Sequence, residues 1–341
     1  MPQTEITAPV QALDVLGRPQ NFGWARTTNL IYNPELLSVP RRSVSESDRY
    51  ILYSPTHMVV LEILDDGYMG YMGVSVISMK DRKRSTHTFF TPFSLGSFEL
   101  PGDSNSGSIK MRQKKSLLNF AAMDGGVRII RADIPKFGHH RNLRGEVVLT
   151  PPPGGESLIT LMPWREKRNA FSYSRRSPCY SAEGVIQFSS TEIIFTQGNA
   201  WGIFDWHRGV RPRSDLRFWA AGCGQYNGRR VGFCAGYNSA DSSQGTENAF
   251  FLDGRLHKLD QVTFHIPQER LVPWRFTSND NRLEMIFIPH QERDDNRQMF
   301  LYSQRRWQLY GSFAGKVVLD DGTDITFHGI TGLVERRKTR L

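Results

Sequence analysis

The sequence predicts an all-β protein built from two similar antiparallel units, and three observations carry that prediction. Runs rich in Val, Ile, Tyr and Phe recur at a spacing of roughly 8–15 residues, with Gly, Pro, Asn and Asp between them, as in sandwiches and barrels. Leu-Asp-Asp-Gly occurs twice, at 64–67 and 319–322, each time between two strand-like runs. No long segment holds a 3.6-residue apolar period; only the stretch Met162–Asn169 is compatible with a short helix. At 341 residues the chain exceeds one ordinary core, which also favours two domains.

The first 20 residues lack a packing pattern and read as an N-terminal arm. Tyr50–Leu64 and Tyr68–Met79 follow as strand material around Asp65-Asp66-Gly67, whose acidic and glycine residues suit a hairpin turn. Thr86–Phe93, Ser116–Met123, Val127–Ala132 and Gly145–Thr150 continue the series. At Pro151-Pro152-Pro153-Gly154-Gly155 three prolines force extended chain and two glycines loosen it, marking a linker or a long hairpin loop. A basic stretch, Lys167–Pro178, precedes Cys179, and the boundary is set near 170, giving units 21–170 and 171–341. In the second unit Gly184–Ser189, Glu192–Thr196, Arg217–Gly222 and Arg230–Gly236 read as strands. Asn248–Leu252 leads into a third hairpin turn at Asp253-Gly254. Gln261–Ile266, Trp274–Thr277, Leu283–Ile288 and Met299–Ser303 come next, and Lys316–Leu319 and Asp324–Ile330 flank the second Asp-Asp-Gly.

Composition narrows the class. A hydrophobic content of 39% with 11% aromatic residues is that of a globular chain, not a disordered one. No run of about 18 apolar residues exists, so no membrane span is expected. The N-terminal stretch shows no basic, then apolar, leader pattern, and a cytoplasmic location is the expectation. Cys179, Cys223 and Cys234 lack CxxC spacing and read as buried free thiols. The net charge of +9 is spread over short runs at expected hairpin tips, so no nucleic-acid partner is expected. The absence of GxGxxG, Walker, GxSxG and HExxH patterns removes the usual support for nucleotide, serine-hydrolase and zincin chemistry. His139-His140 is a metal pair only superficially, because adjacent strand residues point oppositely. No cofactor and no metal are expected.

Candidate chemistry centres on Gly198–Gly209. In extended chain Trp201, Ile203, Asp205 and His207 share one face, and Ala200, Gly202, Phe204 and Trp206 the other. Asp205 is a candidate general acid or base with Arg208 as orienting cation; the alternative is a structural ion pair at the strand end. Glu247 and Asn248 follow the Gly/Ser-rich stretch Asn238–Gly245 and either bind hydroxyls or polarise a carbonyl; the alternative is that Thr246 and Asn248 cap a turn. If Asp205 and Glu247 face one cavity they form a paired acid/base set. His265 alternates with the apolar Phe264 and Ile266 and is either a lumen proton shuttle or a surface residue. Lys258 either stabilises an oxyanion or bridges to Asp253 or Asp260. Trp201, His207, Tyr237, Asn238 and Trp274 complete the candidate ligand contacts, with the aromatic rings as walls.

The ordered motifs Gly202–Val210, Thr246-Glu247-Asn248, Asp253–Leu259, Pro273-Trp274, Phe287-Ile288-Pro289 and Gly311–Gly315 resemble the bacterial domain-of-unknown-function 2804 family. His207 stands where that resemblance implies a smaller polar residue. The family is distantly similar to AttH-like proteins and carotenoid 1,2-hydratases (hydroxyneurosporene synthases), which implies two tandem antiparallel lipocalin-like (calycin-like) barrels packed together. It also implies a small-molecule ligand or substrate and cofactor-independent hydratase, lyase or isomerase chemistry. A non-catalytic lipid or small-molecule carrier and a carbohydrate-active enzyme are the rival expectations.

Overall fold

The computed structural model describes residues 3–137, 141–299 and 302–340, and its regular structure is almost wholly antiparallel strand. Where a helix was compatible with Met162–Asn169, the strands Leu158–Trp164 and Lys167–Phe188 pair instead. The strand period wins there because Leu158–Met162 packs into a sheet on both faces.

Two sheets curl into nearly closed barrels. The first has 13 strands, with Val44–Tyr53, Trp201–Val210 and Lys167–Phe188 at its centre and Arg84–Pro92 and Ser108–Gln113 at the ends of its path. The second has nine, running from Arg255–Lys258 through Arg229–Tyr237, Ser214–Tyr226 and Asp324–Arg340 to Val262–His265. Hydrogen bonding passes from one sheet to the other between Val210 and Ser214, not near 170. The reason is that Trp201–Val210 pairs back onto Val44–Tyr53 over ten residues, so the Gly202–Val210 motif lies in the first sheet. The Pro151–Gly155 segment is a loop inside that sheet, between Arg141–Thr150 and Leu158–Trp164.

All three expected turns form. Gly67 takes φ +72° and its N–H donates to Asp65 at 2.8 Å. Asp253 and Gly254 both have positive φ, 51° and 88°, as a two-residue hairpin loop between Ala249–Leu252 and Arg255–Lys258 requires.

The strand Trp201–Val210 is buried on both faces, and its alternation decides what each face meets. Phe204 and Trp206 enter the core of the first barrel, with Tyr50, Leu61 and Phe120. Trp201 and Ile203 join a separate core between the barrels, with Trp219, Phe251 and Leu333 from the second sheet. The second barrel has its own core around Trp274, Phe276 and Phe313. Cys179, Cys223 and Cys234 are buried free thiols. Among the described residues no helix is long and apolar enough to cross a membrane.

Candidate functional site

The contact between the barrels is apolar at one end and ionic at the other. At the ionic end, Asp205 accepts from Arg49 at 2.5 Å and Arg176 at 2.6 Å. Arg49 also reaches Glu335 at 2.8 Å, and Arg306 reaches Glu62 at 3.0 Å. Arg176 reaches on to Glu247 at 3.2 Å, which Arg217 approaches at 3.4 Å. Four carboxylates thus face four guanidiniums, so the buried charge is compensated locally, as burial of ions demands. Trp219 lies among them, with the Arg49, Arg176 and Arg217 guanidinium carbons 4.6, 5.9 and 5.9 Å from its ring centre. Burial would push the Asp205 carboxyl up, but Arg176, Arg49 and Arg217 outweigh it and hold it well below the usual range. The same balance, with Arg49 and Arg306, holds Glu335 down to about 2.

Glu247 sits where this network meets a cleft. A cavity of about 370 Å³ is walled by Met162, Tyr237, Val262 and Phe264 on its apolar sides and by Asn238, Ser242, Glu247 and Asn248 on its polar ones. It lies at the seam of the second barrel, where Phe264 reaches Tyr237 across the gap at 5.4 Å between ring centres. Glu247 Oε1 accepts from Ser174 Oγ at 3.2 Å and from Arg176 at 3.2 Å. Its Oε2 is buried and makes no hydrogen bond, with Arg217 Nη2 at 3.4 Å as its ion-pair neighbour, and a Cβ on the wall residue Gly236 would lie 3.6 Å from it.

The structure brings Tyr237, Asn238, Glu247 and Asn248 together on this cleft. Asn248 is committed to closing the seam: its Oδ1 accepts from Gly236 N at 2.7 Å and its Nδ2 donates to Asp260 O at 2.7 Å. Lys258 stands behind the wall and donates to Thr246 Oγ1, Asn248 O and Leu259 O at 2.6, 2.9 and 2.7 Å. Burial pushes its ammonium down, to about 7. Neither expected bridge forms: Asp253 pairs with Arg229, and Asp260 accepts from Gln3 and Asn279.

The other candidates lie elsewhere. Asp205 reaches Glu247 only through Arg176, so a cation separates the two expected partner acids. Arg208 points to the opposite face of its strand from Asp205, into the first barrel. There it pairs with Asp48 at 2.8 Å and donates to Pro101 O and Ser47 O. A spacing of three residues puts two strand side chains on opposite faces, which excludes the Asp205–Arg208 pair. His207 shares the Asp205 face but lines a space of about 40 Å³, beside Asp215 and Arg337. Burial, with Arg217, Arg337 and Arg176 nearby, pushes its imidazole well down. His265 is exposed and 2.9 Å from Thr277 Oγ1. Trp274 is in the second barrel core, its indole donating to Arg270 O at 3.0 Å, and Trp201 packs between the barrels under Arg230. His139 and His140 lie outside the described residues.

Sequence reading missed Arg176, Arg217 and Arg49, the cations that organise Glu247 and Asp205. A signal exists for the first: Ser172, Ser174 and Arg176 alternate with Tyr173, Arg175 and Ser177, a strand pattern inside the basic stretch Lys167–Pro178. Met162 opens the stretch read as compatible with a short helix and Phe264 reads as an ordinary strand residue, and nothing local marks either as a cleft wall.

Over residues 3–341 the chain matches the family described as domain of unknown function DUF2804, and it belongs to that family. No curated protein matches it. Similar solved structures include CghA with Sch210972, at 13% identity over 99% of this chain and 97% of that one, TM-score 0.55. A putative AttH from Nitrosomonas europaea is similar at 13% identity over 86% and 91%, TM-score 0.48. Kievitone hydratase from Nectria haematococca follows at 10% identity over 86% and 88%, TM-score 0.44. At such identities the CghA likeness speaks for the fold alone.

Proposed function

We propose that this member of the DUF2804 family binds an amphipathic small molecule in the seam cleft of its second barrel. The observation that carries the reading is the Glu247 carboxylate on the wall of a cavity of about 370 Å³, where its Oε2 makes no hydrogen bond and has a 3.4 Å ion-pair contact with Arg217. A carboxylate oxygen with hydrogen-bonding capacity left, next to apolar walls, suits a ligand with a hydrocarbon body and a hydroxyl or amine head. Met162, Val262, Phe264 and Tyr237 take the body, and Glu247 takes the donor. That a protein of this fold has been crystallised with a small molecule, Sch210972, agrees with the reading.

Glu247 is also the group placed for proton transfer, and a hydration, elimination or isomerisation on the bound molecule is the chemistry it would serve. Asp205 acts at one remove, by sharing Arg176 with Glu247. The two guanidiniums on Glu247 favour a second reading, in which the protein carries its ligand unchanged.

Binding of 2-naphthol and dodecylamine, followed by calorimetry, tests the first reading. Ser242→Trp, which fills the cleft from a loop, and Glu247→Gln should each weaken at least one probe tenfold. Unchanged affinity in Ser242→Trp would remove the cleft as the site. Conversion of a bound metabolite by wild type but not by Glu247→Gln separates the enzyme from the carrier.

A further inference from the structure

We propose that the first barrel holds a second ligand site, for the carboxylate of a small organic acid, formed around Arg175 and Arg128. Of the fully buried arginines described, Arg49, Arg176, Arg208, Arg217, Arg293, Arg297 and Arg306 each have a carboxylate within ion-pair reach. Arg128, 3% exposed, does not. It donates to Ser104 O, and its Nε is buried without a partner. Arg175, partly open, likewise has no carboxylate among the described residues. Its Nε reaches Ser157 and Ser177 at 3.1 and 3.2 Å, and its Nη1 reaches Asn105 at 2.6 Å.

The two guanidiniums share one ring. Arg128 lies 4.4 Å and Arg175 5.9 Å from the centre of Phe204. Asp48, an acid on this inner side, is engaged by Arg208 at 2.8 Å. Two like charges thus stand together in a poorly solvated place, favoured by the Phe204 ring, by the Tyr50 and Tyr180 side chains and, for Arg128, by the more distant Asp48. Neither has an ion-pair partner of its own among the described residues, an arrangement that a bound anion would complete.

There is room for one. A cavity of about 230 Å³ is lined by Arg175, Ser157, Ser177 and Tyr180, with Gly125, Gly126 and the Pro151–Gly155 loop as its rim. Glu156 also lines it, its carboxylate engaged by Arg26 at 3.1 Å and Leu256 N at 2.6 Å. No hydrogen bond occupies the Nη2 of Arg175 among the described residues, so the planar fork has a free donor for a carboxylate. Hydroxyls from Ser177 and Tyr180 can serve its second oxygen. The aromatic and proline surfaces favour an organic acid over a bare inorganic anion. This site is separate from the seam cleft: the two share no lining residue.

The test is titration of the purified protein with benzoate, acetate and inorganic phosphate at constant ionic strength, read by calorimetry. Benzoate should bind with a Kd in the millimolar range or below, and Arg175→Gln should weaken it at least tenfold. In wild type, benzoate should also protect Arg175 from phenylglyoxal, mapped by peptide mass spectrometry, a readout that needs no variant to fold. Equal binding in Arg175→Gln, absence of protection, or binding of phosphate alone would each overturn the proposal.

Discussion

Replacing Arg176 by Met is the most direct probe of the ionic contact that holds Glu247 and Asp205. Arg176 is 1% exposed and bridges Asp205 at 2.6 Å and Glu247 at 3.2 Å. With charge centres about 4 Å apart and an effective dielectric of about 20, each pair contributes about 4 kcal/mol, or roughly 8 kcal/mol gross. Burying the guanidinium costs several kcal/mol, and Asp205 keeps Arg49 while Glu247 keeps Arg217. The expected loss is therefore about 3–5 kcal/mol, measured by urea unfolding at pH 7. Adding Glu247→Gln removes one of the two stranded acids, so the double variant should recover about 1–2 kcal/mol relative to Arg176→Met. A loss below about 1 kcal/mol for Arg176→Met, or strict additivity in the cycle, would refute the idea that the contact depends on compensated buried charge.

Other outcomes follow from the same geometry. Asp205 and Glu335 have carboxyls held below their ordinary values, so their contribution is present above about pH 4–5, where the unfolded acids ionise, and is lost as pH falls through the folded values. Acid titration of stability should therefore show a steep loss from pH 4.5 toward 2, shallower in Arg49→Met. Lys258 is pushed down to about 7, so stability should rise with pH from about 7 to 10 as the unfolded lysine gives up its proton; Lys258→Met should flatten that rise. A Cβ on Gly232 would lie 2.3 Å from Cys179 Sγ, so Gly232→Ala should cost about 1–3 kcal/mol and Cys179→Ala should restore most of it. Equal damage with and without the cysteine would put the cause elsewhere.

Much of the fold could be read from the chain because it rests on local chemistry. The three acidic-glycine turns form where φ > 0 is needed at Gly67, Gly254 and Gly322. Strand runs recur because barrel walls alternate inward and outward side chains. The face split of Trp201–Val210 was also foreseen, since a two-residue period assigns faces without knowing what lies beyond them. The candidate site was legible in part: Tyr237, Asn238, Glu247 and Asn248 meet on one cleft, being close in sequence around one loop. Asp205 and Arg208 failed as a pair for the same reason the face split succeeded.

What the chain could not disclose is which buried charges meet. Arg49, Arg176, Arg217 and Glu335 are far apart in sequence, and their neighbourhoods look like ordinary strands. Only the packing of one sheet on the other sets their distances, and those distances decide whether a buried carboxylate is paired, spare or lost. Local sequence determined strands, turns and faces, because each depends on a few adjacent dihedral angles. Tertiary contact alone decided that Glu247 brings a carboxylate oxygen free of hydrogen bonds to a cleft, and that Arg128 and Arg175 have no ion-pair partner among the described residues.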